Sequence, residues 1–323
     1  MPVRGLSDER LGTAFGALSH EVRLLVLDVL ERERGAATFG VDPLPYSEVA
    51  ARMDTHAPDG VSFDPSNFSY HLRVLKEAGF VNDEGNGYRI TQAGVRVVRA
   101  IRAGDIAPNA AFEAVPIEEP CPYCNGRSVL TLQDEWLFIT CQDCPGAFAQ
   151  EEHLPDGTIA GFQVSPAAVQ DRTPHELFRM AFRVGMQVHR LFAAGLCPSC
   201  HATTSTELLE LCPDHDLGDG AVCSSCGRTT DEFLAVSCDV CDRSLMTFPA
   251  IIVATDPAVI AALYERGNDV TDQAWTALSS PPEWPSEYVS TEPPVVAYTI
   301  PVPEGEPLSV QLDAELNVTV HAP

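Results

Sequence analysis

The eleven cysteines of this chain are spaced in a way that few folds accommodate. Cys121-x2-Cys124 and Cys141-x2-Cys144 are separated by sixteen residues, and Cys223-x2-Cys226 and Cys238-x2-Cys241 by eleven. Cys197-x2-Cys200 stands beside Cys212, which has His215 at the same x2 spacing. A Cys-x2-Cys turn is a tight knuckle whose two thiolates converge, and two knuckles on neighbouring hairpins complete a tetrahedron. SVLTLQDEWLFIT, between the first two pairs, reads as the two strands such a ribbon needs. Eleven cysteines and one histidine make twelve ligands, enough for three four-ligand Zn2+ sites with no cysteine left over. Sequential pairing is simplest. An interleaved set, Cys197/Cys200 with Cys223/Cys226 and Cys212/His215 with Cys238/Cys241, uses the same residues, and His201 is a substitute for His215. Closed four-ligand sites leave no position for a reactive water, so Zn2+ is expected to act as a folding staple. A redox dithiol expects a single pair at a strand–helix junction, and an iron–sulfur cluster is the other chemistry of such pairs.

In an intracellular compartment, eleven cysteines point to metal ligands rather than disulfides. Its start, MPVRGLSDER, lacks the apolar core of a signal peptide, and its longest uncharged apolar stretch, 244–255, is too short to span a bilayer. A cytoplasmic protein without a membrane segment is the expectation. The formal charge is −26 over 323 residues, with a single lysine, Lys76. That balance suits a protein dissolved in molar salt, where the Debye length shrinks to about 3 Å and acidic self-repulsion costs little. The charge is unevenly spread. Residues 1–104 carry 12 basic and 14 acidic side chains, whereas 105–323 carry 8 and 32. Within 66–104 the balance reverses to 6 basic and 3 acidic. Only the N-terminal third is therefore suited to a polyanion.

That third reads as a series of helices closed by a hairpin and a last helix. In LSHEVRLLVLDVL, Val22, Leu25, Val26, Val29 and Leu30 form one apolar stripe, with Ser19 placed as cap. A short helix over 47–53 follows. In DPSNFSYHLRVLKEAGFV, Asp64 caps, Pro65 suits the first helical position, and Phe68, Leu72 and Leu75 make the buried side. Ser66, Asn67, Ser69, Tyr70 and Arg73 are left on the opposite side, with His71 between the faces. Residues 80–83 and 88–91 flank the turn EGNG. A helix over 92–103 has Val95, Val98 and Ile101 on one side and the row Arg96, Arg99, Arg102 beside them.

LSHEVRLLVLDVL followed by SNFSYHLRVLKEAGFV and a hairpin resembles the arsenic-repressor (ArsR) family of regulators, in its haloarchaeal branch, over roughly residues 6–104. The resemblance implies a winged helix-turn-helix whose recognition helix enters the major groove of double-stranded DNA, as a homodimer on a two-fold operator. By position, Ser66, Asn67, Ser69, Tyr70 and Arg73 are the implied DNA-binding face, and Arg89 lies on the wing. Small polar residues and Arg are suited to reading base edges. The family's metal sensors carry a Cys-x-Cys site in this domain, whereas residues 1–120 contain no cysteine.

The expected fold class is α+β multidomain: the winged domain over 6–104, a linker over 105–120, a zinc ribbon over 121–172, a spacer helix over 173–195, a second zinc region over 196–244 and a small α+β module over 245–323. The spacer helix opens at TPHE and carries the stripe Leu177, Met180, Ala181, Val184, Val188, Leu191 and Phe192. SLMTFPAIIVAT is expected as a strand, 257–266 as a helix, 279–294 as a loop, and VVAYTIPV, LSVQL and LNVTV as strands. No GxxxxGK[ST], GxSxG or HExxH occurs, nor a GxGxxG after a strand, so no enzyme is indicated. The expected function is a sequence-specific DNA-binding transcriptional regulator with structural Zn2+, its small-molecule effector unknown. The alternatives are a protein-interaction adaptor that docks through the winged domain and ribbons, or a zinc- or thiol-responsive sensor.

Overall fold

A computed structural model of the chain describes residues 9–34, 42–58, 64–106, 112–148, 151–170, 172–210, 216, 223, 232–268 and 284–321. Two compact units divide it, 1–108 and 109–323. Helices and several antiparallel sheets give a mixed α/β architecture. No helix among the described residues is long and apolar enough to cross a membrane.

The N-terminal unit is organised on one buried helix. Helix α1 (Glu9–Leu18) leads into α2 (Glu21–Arg34), whose Val26, Leu27 and Val29 are fully buried. Burying each such side chain contributes about 1.5–3 kcal/mol. Helix α3 (Tyr46–His56) adds Val49 and Met53, α4 (Phe68–Glu77) adds Phe68, Leu72 and Leu75, and α5 (Gln92–Ala103) adds Val95 and Val98. Strands β1 (Val81–Asp83) and β2 (Tyr88–Ile90) pair antiparallel, with Val81 opposite Ile90. The α2 cap is His20, whose Nδ1 accepts from the Val22 N–H at 3.2 Å; Ser19, the expected cap, donates instead to the Gly16 carbonyl. A cap needs its acceptor aimed at the free N–H groups of the first turn, and here the imidazole reaches them. Asp64 caps as expected, accepting from the Ser66 N–H at 2.9 Å, but the first turn it opens, Pro65–Asn67, is 3-10 before α4 begins. Ile101, expected on the buried side of α5, is 41% exposed, because the last turn of that helix runs past the core.

In the second unit, β3 (Phe112–Pro116), β4 (Ser128–Gln133), β5 (Trp136–Cys141) and β6 (Thr158–Gln163) form a meander in that order. Strand β3 lies in the stretch expected to be linker. Its Phe112 and Val115 pair with Leu132 and Leu130 across a register shift. After the one-turn helix α6 (Pro166–Val169) comes α7 (Pro174–Ala193), closed at its start by a capping box between Thr173 and Glu176. The first half of α7 covers the first sheet through Leu177, Phe178 and Ala181, and Phe192 near its end enters a second core. Its buried face is rotated from the expected stripe: Gly185 is buried and Val184 is 50% exposed. The ring of Phe162 on β6 packs against Gly185, in space a side chain there would fill: a Cβ would sit 2.5 Å from it.

Strands β7 (Thr204–Glu210), β8 (Glu232–Cys238) and β9 (Ser244–Thr247) form the second sheet. Helices α8 (Pro249–Thr255) and α9 (Pro257–Tyr264) follow. SLMTFPAIIVAT is therefore strand, then helix, because Pro249 at the first helical position closes off strand pairing and starts α8. Strands β10 (Ser286–Thr291), β11 (Pro294–Ile300), β12 (Leu308–Asp313) and β13 (Val318–His321) make the last meander. Strand β10 occupies the stretch expected as loop, and pairs with β11. Leu234 and Val236 of β8, Ile252 and Val253 of α8, Val259 of α9 and Val296, Val310 and Leu312 of the last sheet share one core with Phe192.

His71 on α4 is 7% exposed and its ring centroid lies 4.6 Å from that of His20. Burial first, then the charges of His20 and Arg23, hold its pKa below the ordinary 6.5. Between the two values the unfolded chain binds the extra proton, so stability of this unit rises with pH through that window and is lost on acidification. NMR titration of His71 in the intact chain should give an apparent pKa below 6.5. The α4 amides should be less protected at about pH 5.5 than at about pH 7.5. A titration at or above 6.5 contradicts this.

Candidate metal centres and a polar helix face

The first quartet sits where the β4–β5 hairpin opens. Cys121 and Cys124 precede β4, Cys141 ends β5 and Cys144 follows it. The Sγ atoms of Cys121 and Cys144 are 3.6 Å apart, and those of Cys124 and Cys141 are 3.5 Å apart. All four lie within 4.8 Å of one another. Four sulfurs at about 2.3 Å around a tetrahedral ion are roughly 3.8 Å from each other, so the quartet fits such an ion. The backbone makes the knuckle: the Asn125 N–H donates to the Cys121 carbonyl at 2.8 Å and the Cys121 N–H to the Gly126 carbonyl at 2.9 Å. Gly126 is required by close approach, since a Cβ there would lie 2.7 Å from the Asp143 carboxylate and 3.0 Å from Cys124 Sγ. Asp143 in turn accepts from the Arg127 N–H at 2.8 Å, tying the two knuckles.

The second quartet is Cys197, Cys200, Cys238 and Cys241, again within 4.8 Å of one another. Cys197 and Cys241 sulfurs are 3.6 Å apart, Cys200 and Cys238 sulfurs 3.4 Å. Its first knuckle repeats the first site's bonds: His201 N–H to the Cys197 carbonyl and Cys197 N–H to the Ala202 carbonyl, both 2.9 Å. His201 takes the left-handed backbone position (φ 62°) that Asn125 takes in the first site (φ 57°). It is exposed and lies outside this quartet.

This pairing corrects both arrangements read from the sequence. Neither sequential nor interleaved grouping puts Cys197/Cys200 with Cys238/Cys241. Strands β7 and β8 do so: they pair antiparallel with Thr204 opposite Cys238, so the knuckle before β7 meets the knuckle after β8. The remaining expected ligands fall between these strands. Cys212, His215 and Cys226 lie outside the described residues; Cys223 is buried and its Sγ accepts from the Asp216 N–H at 3.5 Å. The nested pairing had a signal in the sequence, since TTSTELLEL and DEFLAVS are both strand-like and each abuts a cysteine pair.

Within each quartet the thiols diverge. Burial pushes Cys197 up, but the N–H groups of Cys200 and Ser199 and the neighbouring sulfurs outweigh it and bring it to about 6. Burial raises Cys121 to about 11, and Cys200 is pushed up to about 12, where the sulfurs of Cys238, Cys241 and Cys197 overcome the Ala202 N–H. Four sulfurs this close do not all ionise without a cation among them, which is the property of a metal site rather than of a dithiol pair.

On the N-terminal unit, Ser66, Asn67, Ser69, Tyr70 and Arg73 are all exposed, and Arg89 is exposed on β2. The face is partly self-paired. Arg73 reaches Glu77 at 3.2 Å and lies 5.5 Å from the Tyr70 ring centroid, Lys76 reaches Asp83 at 3.2 Å, and Arg89 reaches Glu84 at 3.5 Å. Tyr46 of α3 and Ser69 share a hydrogen bond of 3.1 Å. The Arg96–Arg102 row resolves differently. Arg102 bonds Asp28 at 2.6 Å and also Glu31, and Arg99 reaches Glu31 at 3.5 Å, so these two fasten α5 to α2.

The nested pairing is testable by metal content. Cys197→Ser and Cys238→Ser should each release one metal equivalent per chain, and the double variant should release only that same one. Loss of two equivalents from the double variant would show that the two cysteines serve different ions.

No curated protein and no solved structure matches the chain significantly. A family model described as a domain of unknown function, DUF7347, matches residues 12–101. A second, also described as a domain of unknown function, DUF7351, matches residues 118–318, which holds both cysteine quartets and more than half of the chain. The chain belongs to the DUF7351 family.

Proposed function

We propose that the chain is a sequence-specific DNA-binding transcriptional regulator whose N-terminal unit is a winged helix-turn-helix and whose two quartets hold structural Zn2+. The observation that carries this is the division of the segment formed by the 3-10 turn and α4: Phe68, Leu72 and Leu75 are buried while Ser66, Asn67, Ser69, Tyr70 and Arg73 are exposed beside an exposed hairpin. A helix fixed in that way presents hydroxyls, an amide and a guanidinium as a unit, the groups that read base edges in a major groove. The likeness of this segment to arsenic-repressor regulators supports the reading. Arg89 on the hairpin is then the wing residue. Phe15, Ile101 and Ile106 are 70%, 41% and 66% exposed, apolar surface suited to a second copy of the chain on a two-fold operator. Zn2+ suits the quartets because a tetrahedral all-thiolate shell is closed, redox-silent and stabilising.

The ion pairs on the face set its energetics. Exposed pairs such as Arg73–Glu77 are worth about 0–1 kcal/mol, so exchanging a carboxylate for a phosphate costs little. Acidic residues beside the cations lower non-specific affinity, which leaves discrimination to direct contacts. Band shifts in high KCl test this. Arg73→Ala should weaken specific binding by about 1–3 kcal/mol if the guanidinium reads a base. Glu77→Gln should strengthen binding to all sequences by freeing Arg73. Equal, weak binding of every duplex, unaltered by either change, would overturn the reading; protein partners captured with no dependence on DNA would favour an adaptor.

A further inference from the structure

Within residues 64–91 the cations are Arg73, Lys76 and Arg89, and the acids are Asp64, Glu77, Asp83 and Glu84. Asp64 is committed to its cap, accepting from the Ser66 N–H. The other three acids each meet one cation. Arg73 reaches Glu77 one turn further along α4 at 3.2 Å, Lys76 reaches across to Asp83 at the end of β1 at 3.2 Å, and Arg89 on β2 reaches Glu84 in the hairpin turn at 3.5 Å. The two acids on the hairpin do not depend on the cations for their place. Asp83 also accepts from the Gly85 N–H at 3.1 Å, and the Glu84 N–H closes the turn by donating to the Gly87 carbonyl at 2.9 Å. All six paired side chains are more than a third exposed, so a phosphate reaches each cation and a hydrated salt ion reaches each carboxylate.

We propose that Glu77, Asp83 and Glu84 are built-in competitors for the phosphate backbone, so that nucleic-acid binding at this face takes up salt cations as well as releasing them. The proposal rests on the DNA-binding reading of α4 and concerns how salt regulates it. A duplex releases about 0.9 condensed cation for each phosphate that a basic side chain neutralises, and affinity at an ordinary basic face falls with salt accordingly. Three such contacts set a slope of about −2.7 in log affinity against log salt, a loss of about 500-fold over a tenfold rise. Here each phosphate has to displace a carboxylate that stays within a few ångströms of it. Like charges about 4 Å apart repel, and exposed ones are neutralised by drawing a cation from solution. Salt is then a reactant, and each uptake adds about +1 to the slope by mass action. Three uptakes offset three releases, so the affinity of this face is nearly flat with salt. No fixed ion site is required, because the exposed carboxylates recruit cations from the surrounding atmosphere.

The experiment uses the intact, metal-loaded chain and a fluorescent duplex that the chain itself selects from a random-sequence pool. Affinity is read by anisotropy from about 0.3 to about 3 M KCl, with folding checked by circular dichroism at each salt. Glu77→Gln/Asp83→Asn/Glu84→Gln replaces the three competitors by isosteric amides, which keep an acceptor oxygen for the Gly85 N–H. Glu304→Gln/Glu306→Gln/Glu315→Gln, at exposed positions of the second unit, makes the same change in net charge. The wild-type slope should lie near zero, and the face variant should be steeper by about 2 to 3. The remote variant should stay within about 0.5 of wild type, since charges beyond a Debye length are screened. Equal slopes in wild type and face variant would overturn the proposal, as would equal steepening in both variants, which would assign the effect to net charge. A selection that enriches no duplex would overturn the DNA-binding reading itself, and this proposal with it.

Discussion

The second unit depends on the convergence of four sulfurs at the open end of a hairpin, used twice. Strands β4 and β5 bring one pair of knuckles together, and β7 and β8 bring the other. In both cases the pairing register of the strands decides which sulfurs meet. The sulfurs share their hydrogen bonds unevenly, Cys197 being brought to about 6 and Cys200 pushed up to about 12, and four thiolates this close would repel one another. A divalent cation relieves that repulsion for all four at once, and so ties hairpin geometry to metal binding. Helix α7 joins the two ribbons: its first half covers the sheet of the first quartet, and Phe192 near its end enters the core that β8 shares with α8, α9 and the last meander.

The N-terminal unit obeys a different constraint. It has no cysteine, and its stability comes from one central helix, α2, buried along most of its length. The charged residues of α2 that remain outside are used as anchors: Asp28 and Glu31 hold Arg102 and Arg99 of α5. Burial raises the Asp28 pKa, but its bonds to Arg32 and Arg102 outweigh that and keep it low. On the proposed reading this division of labour matters: Arg99 and Arg102 of α5 hold the scaffold, and Arg73 and Arg89 are left for a nucleic acid, lightly held by Glu77 and Glu84. A net charge of −26 is then compatible with a polyanionic partner, because the acidity is concentrated after residue 104.

Much of this was legible locally. The bounds of α5 follow from Thr91, whose hydroxyl caps it, and Gly104, whose left-handed backbone ends it. The two-residue turn Asp134–Glu135 and the strands around it follow from alternation and turn chemistry. The failures share a cause, which is that the deciding partner was distant in sequence. Strand β3 offers only Phe112 and Val115 as apolar signal and exists because β4 accepts it. Strand β10 is an exposed edge, so its residues carry no burial pattern. On α7, Leu177, Ala181 and Phe192 are buried as the stripe implied, while the burial of Gly185 reflects its contact with Phe162 on β6, which no periodicity within the helix reveals. The cysteines were correctly seen as knuckles, while their grouping in the second region depended on which strands pair across 211–231.

The central claim is that the exposed side of α4 reads a sequence. It is tested most directly by mapping where the intact protein sits across the genome at the salt concentration of the living cell. The account predicts a limited set of sites sharing one motif with two-fold symmetry, and loss of that motif when Asn67, Tyr70 and Arg73 are replaced together. Occupancy that follows only the accessibility of DNA, with no shared motif and no response to those replacements, would contradict it.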